Sequence, residues 1–132
     1  MAFTWPTLAV VLAVHDEQIA EHGGLAGLRE MGVLESALQR PLHHLSFADD
    51  PDIAHLAAIL AHALVANHPF LDGNKRVSAA ITELFLNLNG YELTADDAAL
   101  VDAWLALAGG DFDETAMARW LRAHIAKTST GM

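Results

Sequence analysis

The sequence contains no cysteine, so it can form neither a disulfide framework nor a thiol active site. This absence is compatible with the cytoplasm, where we expect the protein to reside. Positive charge is also scarce, because 7 lysine and arginine residues stand against 17 aspartate and glutamate residues, for a formal net charge of −10. Such a surface repels phosphate backbones, and we therefore expect no direct nucleic-acid partner.

Long apolar runs are absent as well. Although 53% of the residues are hydrophobic, no run approaches the ~20 uninterrupted apolar residues of a membrane-spanning helix, and we expect no membrane partner. The stretch from Met1 to Val14 is apolar but lacks a basic leading region and a small-residue cleavage site, so we do not interpret it as a signal peptide. The 132 residues suffice to bury one core, and no repeat or linker divides them, so we expect a single domain over 1–132.

Apolar residues recur at helical spacing over most of the chain, which predicts an all-α fold of about six helices. Capping and first-turn residues place the predicted helix starts at Thr4 to Pro6, Val33, Asp50-Pro51, Asn74, Thr94-Asp97 and Asp113. Glycine or proline marks most of the predicted ends, at Gly23-Gly24, Pro41, Gly90 and Gly109-Gly110. Residues 128–132 are predicted to form a frayed tail.

Nine consecutive residues in mid-chain, His68 to Arg76 with the sequence HPFLDGNKR, concentrate the chemically informative side chains. Proline disfavours the α region for the residue before it, so we expect the preceding helix to close at His68 and to project the imidazole there. Gly73 permits a turn that other residues would strain. The next helix is predicted to begin at about Asn74, with its unpaired N–H groups pointing back into the loop.

This loop has the composition of a phosphate site. Helix-start N–H groups and the positive end of the helix dipole attract anions, and Lys75 and Arg76 add two cations. Asp72 is the natural Mg²⁺ ligand, because Mg²⁺ is usually held by one or two carboxylates together with substrate phosphates. The loop does not match GxxxxGK[ST], which excludes the commonest nucleotide-binding explanation. From spacing alone, a solvated polar loop stays open as the alternative.

Histidine is frequent, with eight residues, yet we predict no transition-metal site. The candidates His43, His44, His55, His62 and His68 lack the HExxH spacing that places two ligands on one helix face. Partly exposed helix positions explain His55 and His62 more simply.

The motif HPFLDGNKR resembles the Fic motif HPFx[DE]GNGR, and the Lys75 variant is similar to the death-on-curing (Doc) branch of the Fic/Doc superfamily, the toxins of type II toxin–antitoxin pairs. Further segments that look like those of Doc-like proteins are Val14 to Glu17, Gly23-Gly24, Gly32 to Leu38, Arg40-Pro41 and Phe85 to Gly90. The resemblance therefore covers most of the chain. The fold it implies includes a flap that lines the target groove, and we expect a short strand or hairpin over Leu42 to Phe47.

The resemblance also implies a transferase that uses ATP and Mg²⁺. His68 would act as general base on a protein hydroxyl, Asp72 would hold Mg²⁺, and Arg76 would complete the catalytic set. The residues that would cradle the nucleotide phosphates are Gly73, Asn74, Lys75 and Arg76.

Two reactions are consistent with the resemblance. Doc looks like a Fic fold turned into a kinase that transfers the γ-phosphate of ATP to a Ser/Thr hydroxyl, with elongation factor Tu as the family's target and arrested translation as the outcome. Fic proteins with glycine in place of Lys75 transfer AMP instead, and Gly73 follows their pattern where Doc has alanine. We expect the kinase reaction, with protein adenylylation as the alternative and a catalytically inert binding module as a second alternative.

Regulation is expected to come from a separate chain. Fic enzymes that restrain themselves carry an inhibitory helix with [ST]xxxE[GN], and this sequence contains no such string. The resemblance therefore implies an antitoxin of the prevent-host-death type that binds in trans and folds on binding.

Overall fold

Six helices and one small sheet form the fold of residues 3–128, the part of the chain that the computed structural model describes. The helices are α1 (Leu8–His22), α2 (Met31–Leu45), α3 (Ile53–Ala66), α4 (Asn74–Leu88), α5 (Asp97–Gly109) and α6 (Glu114–Ala123). Strands β1 (Tyr91–Leu93) and β2 (Ile125–Lys127) pair antiparallel, with Glu92 opposite Ala126. The predicted all-α fold of about six helices is confirmed.

Helix α3 lies at the centre of the fold. Its sequence is almost wholly apolar, and a helix that is apolar on every side must be buried on every side. It packs against α2, α4, α5 and α6, and alanines such as Ala57, Ala58 and Ala61 are fully buried among these neighbours. The C-terminal end of α3, which leads into the motif loop, is therefore held on several sides.

A buried polar link fixes the start of α4 beneath that loop. The Ser78 hydroxyl donates to the Ala61 carbonyl of α3 at 2.8 Å and accepts a hydrogen bond from Trp104 Nε1 of α5 at 2.9 Å. Ser78 has no exposed surface, so these bonds satisfy a hydroxyl that would otherwise be costly to bury. Three helices are thereby joined one turn below the motif.

Two of the predicted helix starts are confirmed, and others shift along the chain. Helix α4 begins at Asn74, and Asp113 caps α6 by accepting from Ala116 N–H at 2.8 Å. The caps of α1, α3 and α5 lie after the predicted residues, at Thr7, Asp52 and Asp96. In each case the later side chain accepts a hydrogen bond from a first-turn N–H. Thr94 does not cap α5, because the helix begins after Asp96; the Thr94 N–H donates to the His124 carbonyl beside the sheet.

The prediction for residues 33–47 is wrong in two respects. Helix α2 does not end at Pro41 but continues from Met31 to Leu45 with Pro41 inside it. The flap predicted over Leu42 to Phe47 is absent, since that segment completes the helix and then turns. Proline removes one helical hydrogen bond, and burial of Pro41 with the packing of α2 on α3 offsets that loss. The short β structure of the described chain lies instead beside α4 and α6.

Both ends of the described chain are tied to the residues that follow α4. Asn89 bonds both backbone groups of Thr4, at 2.8 Å each. Thr128, the first residue of the predicted tail, donates its N–H to the Gly90 carbonyl at 2.9 Å. Residues 129–132 of that tail lie outside the described residues. No helix between residues 3 and 128 is long and apolar enough to cross a membrane.

Candidate active site

The side chains singled out in the motif surround one open pocket at the N-terminal end of α4. Its volume is about 370 Å³. The lining residues are His68, Asp72, Gly73, Asn74, Lys75 and Arg76 from the motif, with Val65, Leu71 and Ala108. All six predicted site residues therefore lie together, and the lining comes mainly from the loop between α3 and α4 and from the first turn of α4.

His68 does not end α3. The helix stops at Ala66 with Asn67 as its cap, and His68 follows with φ of 47°. It is the one non-glycine residue with positive φ in residues 3–128. Pro69 disfavours the right-handed helical region for the residue before it, and histidine tolerates the left-handed region better than most side chains. His68 is exposed and lines the pocket, so its side chain is accessible from solvent.

Arg29 holds the backbone that carries His68. Its Nε donates to the His68 carbonyl at 2.8 Å, and its Nη2 donates to the Asn67 carbonyl at 2.7 Å. Carbonyls after the last turn of a helix lack partners within the helix, and a cation there also interacts favourably with the dipole. The backbone N–H of Arg29 bonds the carbonyl of Pro69 at 2.8 Å.

Arg29 belongs to a segment, residues 24–29, that we call the strap. It runs alongside the motif loop and pairs with it in a short ladder. Leu28 and Phe70 form an antiparallel bridge, and Leu71 N–H donates to the Gly27 carbonyl at 3.1 Å. The strap therefore supports the loop from His68 to Asp72 on one side.

Asp72 presents a carboxylate that is oriented by two backbone N–H groups. Oδ1 accepts from Gly73 at 2.9 Å and Oδ2 accepts from Leu25 at 3.3 Å. Gly24 allows this approach, because a Cβ there would lie 2.7 Å from Oδ2. Each carboxylate oxygen has two lone pairs, so both keep acceptor capacity toward the pocket.

His15 of α1 lies beneath Asp72. Its Nε2 is 2.9 Å from the main-chain oxygen of Asp72, and the residue is only 2% exposed. The imidazole stacks on the Phe70 ring, with centroids 3.9 Å apart and planes 9° from parallel. The loop is thus contacted from below at Phe70 and at Asp72.

The first turn of α4 is open to an anion. Gly73 occupies the N-cap position with φ of 78° and supplies no side-chain cap, and the first helical bond runs from Val77 N–H to the Gly73 carbonyl at 2.9 Å. The preceding N–H groups belong to residues that line the pocket. Within residues 3–128, neither Lys75 nor Arg76 takes part in an ion pair. The dipole and both cations are therefore available to phosphate groups.

The Asn74 side chain faces the loop. Oδ1 accepts from Phe70 N–H and Nδ2 donates to the Phe70 carbonyl, both at 3.0 Å. Its amide oxygen is thus used inside the protein, and the group that Asn74 offers to an anion is its backbone N–H.

The pocket fits Mg²⁺ that arrives with a nucleotide. Asp72 is the one carboxylate among the lining residues, and no group of three or more potential ligands within residues 3–128 is disposed to hold a metal alone. Mg²⁺ keeps several waters and commonly binds through one or two carboxylates plus substrate phosphates. A single carboxylate beside an anion-binding helix start matches that mode.

An apolar groove adjoins the pocket. It has a volume of about 310 Å³ and is lined by Lys75, Arg76, Ala79, Leu100, Val101, Trp104 and Leu105. Val101 and Leu105 are 58% and 54% exposed. The groove and the pocket share Lys75 and Arg76.

Reasoning from the sequence did not assign roles to three residues that shape the site. His15 and Gly24 lie in segments that resemble Doc-like proteins, which was a usable signal. The sequence carried no signal for Arg29. Its side chain bonds main-chain carbonyls about forty positions away, and no pattern of side chains identifies such carbonyls.

Comparison with known proteins adds a family relationship. The model of the Fic/DOC family matches residues 5–86, which include α1 and the whole motif. The chain is 30% identical to the protein kinase Doc of Escherichia phage P1 over 112 residues, which are 85% of this chain and 88% of that protein. It is 39% identical to the toxin Doc of Mycolicibacterium smegmatis over 75 residues, which are 56% of this chain and 58% of that protein.

Proposed function

Because this chain belongs to the Fic/DOC family and resembles its Doc toxins over most of its length, we propose that it transfers the γ-phosphate of ATP to a Ser or Thr hydroxyl of a translation factor. Elongation factor Tu is the proposed target, and arrested translation is the proposed outcome. The observation that carries the proposal is the meeting of His68, Asp72 and the uncapped start of α4 in one pocket.

In the proposed reaction His68 is the general base. The imidazole takes the proton of the target hydroxyl as the hydroxyl oxygen bonds the γ-phosphorus. The bond from the γ-phosphorus to the bridging oxygen breaks, and ADP leaves. Exposure of His68 supports this role, since the acceptor is a whole protein that must approach from solvent.

The start of α4 binds the phosphates in this proposal. Backbone N–H groups, which the helix holds in place before the substrate binds, stabilise negative charge together with Lys75 and Arg76. Asp72 holds Mg²⁺, which when bound neutralises charge on the phosphate oxygens. The bonds from Leu25 and Gly73 fix the direction of that carboxylate.

One observation favours phosphate transfer over AMP transfer, and a second removes an argument for AMP transfer. A relative that this chain matches over 88% of the relative's length is named a protein kinase. Gly73, which follows the AMP-transferring pattern, has a conformational reason here, because its φ of 78° favours glycine. The presence of glycine at position 73 is therefore no argument for adenylylation. In this proposal, Lys75 is the residue that distinguishes phosphate transfer from AMP transfer.

We further propose that an antitoxin of the prevent-host-death type inhibits the protein in trans and that its inhibitory segment binds the groove between α4 and α5. An amphipathic helix fits an apolar groove, and an acidic end would complement Lys75 and Arg76. A segment that engages these two cations competes with the phosphates of ATP. Competition between the purified antitoxin and ATP tests this point.

The reaction itself is tested with ATP labelled separately at the α and γ phosphates, incubated with the protein, Mg²⁺ and purified elongation factor Tu. We expect label on the target from the γ position only. Label from the α position would identify AMP transfer, and no label from either would favour an inert binding module. The His68→Ala variant controls for contaminating kinases.

A further inference from the structure

We infer that His15 is a positioning residue that holds the Asp72 carboxylate in place through the main chain. This inference rests on the proposed function, because Asp72 matters here as the proposed Mg²⁺ ligand. His15 belongs to α1 and is not part of the motif, and its Nε2 bonds the main-chain oxygen of Asp72.

The hydrogen bond defines the tautomer. A carbonyl oxygen only accepts, so the contact of 2.9 Å between Nε2 and the Asp72 oxygen requires a hydrogen on Nε2. The residue is 2% exposed, and an imidazole is costly to bury without a partner. The Asp72 carbonyl supplies that partner.

The ring also lies close to residues on either side of Asp72 in the loop. It stacks on Phe70, and its Cδ2 lies 3.9 Å from where a Cβ of Gly73 would be. The Asp72 carbonyl is therefore held by a hydrogen bond from a ring that is itself stacked on Phe70. Rotation of the peptide that this carbonyl shares with Gly73 would turn the Gly73 N–H away from the carboxylate, whose Oδ1 it bonds.

If His15 only packed against the loop, the variant that keeps an aromatic ring would behave like the wild type, and the variant that keeps only a donor would not. An aromatic ring without a donor, as in His15→Phe, keeps the stack on Phe70 but loses the hydrogen bond. Glutamine, as in His15→Gln, keeps a donor near the position of Nε2 but loses the ring. The pair of variants separates the donor from the ring.

Arg29 carries a second inference from independent contacts: we infer that it positions His68. Its guanidinium bonds the carbonyls of Asn67 and His68, and the φ of 47° at His68 is a conformation that needs support from its surroundings. None of its hydrogen bonds reaches Asp72. Arg29 and His15 thus hold opposite ends of one loop.

The experiment compares the Mg²⁺ requirement and kcat of phosphate transfer across four proteins. For His15→Phe we expect the Mg²⁺ concentration at half-maximal rate to rise about tenfold, the scale of one lost hydrogen bond, and for His15→Gln we expect it to return most of the way. For Arg29→Gln we expect kcat to fall about tenfold with the Mg²⁺ requirement unchanged. The assignment of His15 would be overturned if the Mg²⁺ requirement rose equally in all three variants, or if His15→Phe kept the Mg²⁺ requirement of the wild type. An unchanged kcat in Arg29→Gln would overturn that of Arg29.

A measurement that does not depend on phosphate transfer tests the inference independently of the proposed function. In ¹⁵N-labelled wild-type protein, the His15 ring is expected in the Nε2–H form, identified by the resonance lost in His15→Gln. The Nδ1–H form would overturn the inference even if transfer is observed. If the wild-type protein transfers no phosphate, the proposed function fails, while titration of Mg²⁺-ATP into the wild type and His15→Phe still decides whether His15 supports binding at Asp72. Should His15→Phe not fold, His15→Asn replaces it, because the shorter amide does not reach the Asp72 carbonyl.

Discussion

The side chain of Asn74 bonds both backbone groups of Phe70, accepting from its N–H and donating to its carbonyl at 3.0 Å each. These bonds close the loop from Phe70 to Asn74 onto the first residue of α4. The loop therefore has its shape before any nucleotide binds, and preorganisation of this kind is what stabilisation of transferring phosphate requires.

Asn74→Ala should destabilise the protein as well as the site. Phe70 is 2% exposed, so the variant leaves polar groups of a buried residue without partners, at a cost of about 1–3 kcal/mol. Urea unfolding of the variant and the wild type measures the difference. Asn87→Ala, an exposed asparagine near the other end of α4, is the control and should stay close to the wild type. Equal stability of Asn74→Ala and wild type would show that the loop does not depend on these bonds.

His68→Ala should abolish phosphate transfer and leave the fold and ATP binding intact. The side chain is exposed, so its removal costs little packing, whereas a general base contributes typically 10²–10⁴-fold to the rate. Transfer rates and thermal unfolding are measured together. His22→Ala, an exposed histidine at the end of α1, is the matched control and should retain activity. Near wild-type transfer by His68→Ala would remove His68 from its proposed role.

Asp72→Asn should lower turnover steeply and weaken the dependence on Mg²⁺. The amide keeps an oxygen that can accept one of the two backbone hydrogen bonds but carries no charge for the metal. We expect little change in thermal stability, because Asp72 is exposed. Asp16→Asn, an exposed aspartate on α1, serves as the control. A variant that keeps both its rate and its Mg²⁺ dependence would identify Asp72 as a solvated loop residue.

Gly24→Ala should impair the Mg²⁺ site through a direct clash. Its Cβ would lie 2.7 Å from Asp72 Oδ2, at a backbone φ of 116°. Gly23→Ala is a close control, because its φ of 82° is also unfavourable for alanine but nothing lies within 4 Å of its Cβ. Both variants should lose about 1–3 kcal/mol of stability from backbone strain, and only Gly24→Ala should raise the Mg²⁺ requirement. The same Mg²⁺ requirement in both would contradict the clash.

The local parts of this structure could be predicted from sequence. The start of α4 at Asn74 follows from a glycine turn before an apolar helical pattern, and the Asp113 cap follows from a carboxylate before a first turn. The gathering of the motif around one pocket follows from its nine-residue length. These features depend on residues close together in the chain.

The features that were predicted wrongly or missed depend on contacts between residues far apart in the chain or on bonds to the main chain. Pro41 normally stops a helix, yet α2 continues through it because that helix packs on α3. The bonds of His15 and Arg29 go to main-chain oxygens in the loop, and a main-chain oxygen carries no sequence signature. The inward-facing amide of Asn74 was missed for the same reason, since its partner is the backbone of Phe70.

The central claim is that this pocket transfers the γ-phosphate and that Lys75 decides between phosphate transfer and AMP transfer. Mass spectrometry of elongation factor Tu tests it most directly, after incubation with Mg²⁺-ATP and either the wild-type protein or Lys75→Gly. Lys75 lines the pocket at the first turn of α4, where, in the proposed reaction, its long cation would bind phosphate and obstruct the nucleotide orientation needed for AMP transfer. We expect phosphate on a Ser or Thr of the target with the wild type, and loss of that product with Lys75→Gly. An AMP adduct formed by the wild-type protein would contradict the account and identify the protein as an adenylyltransferase.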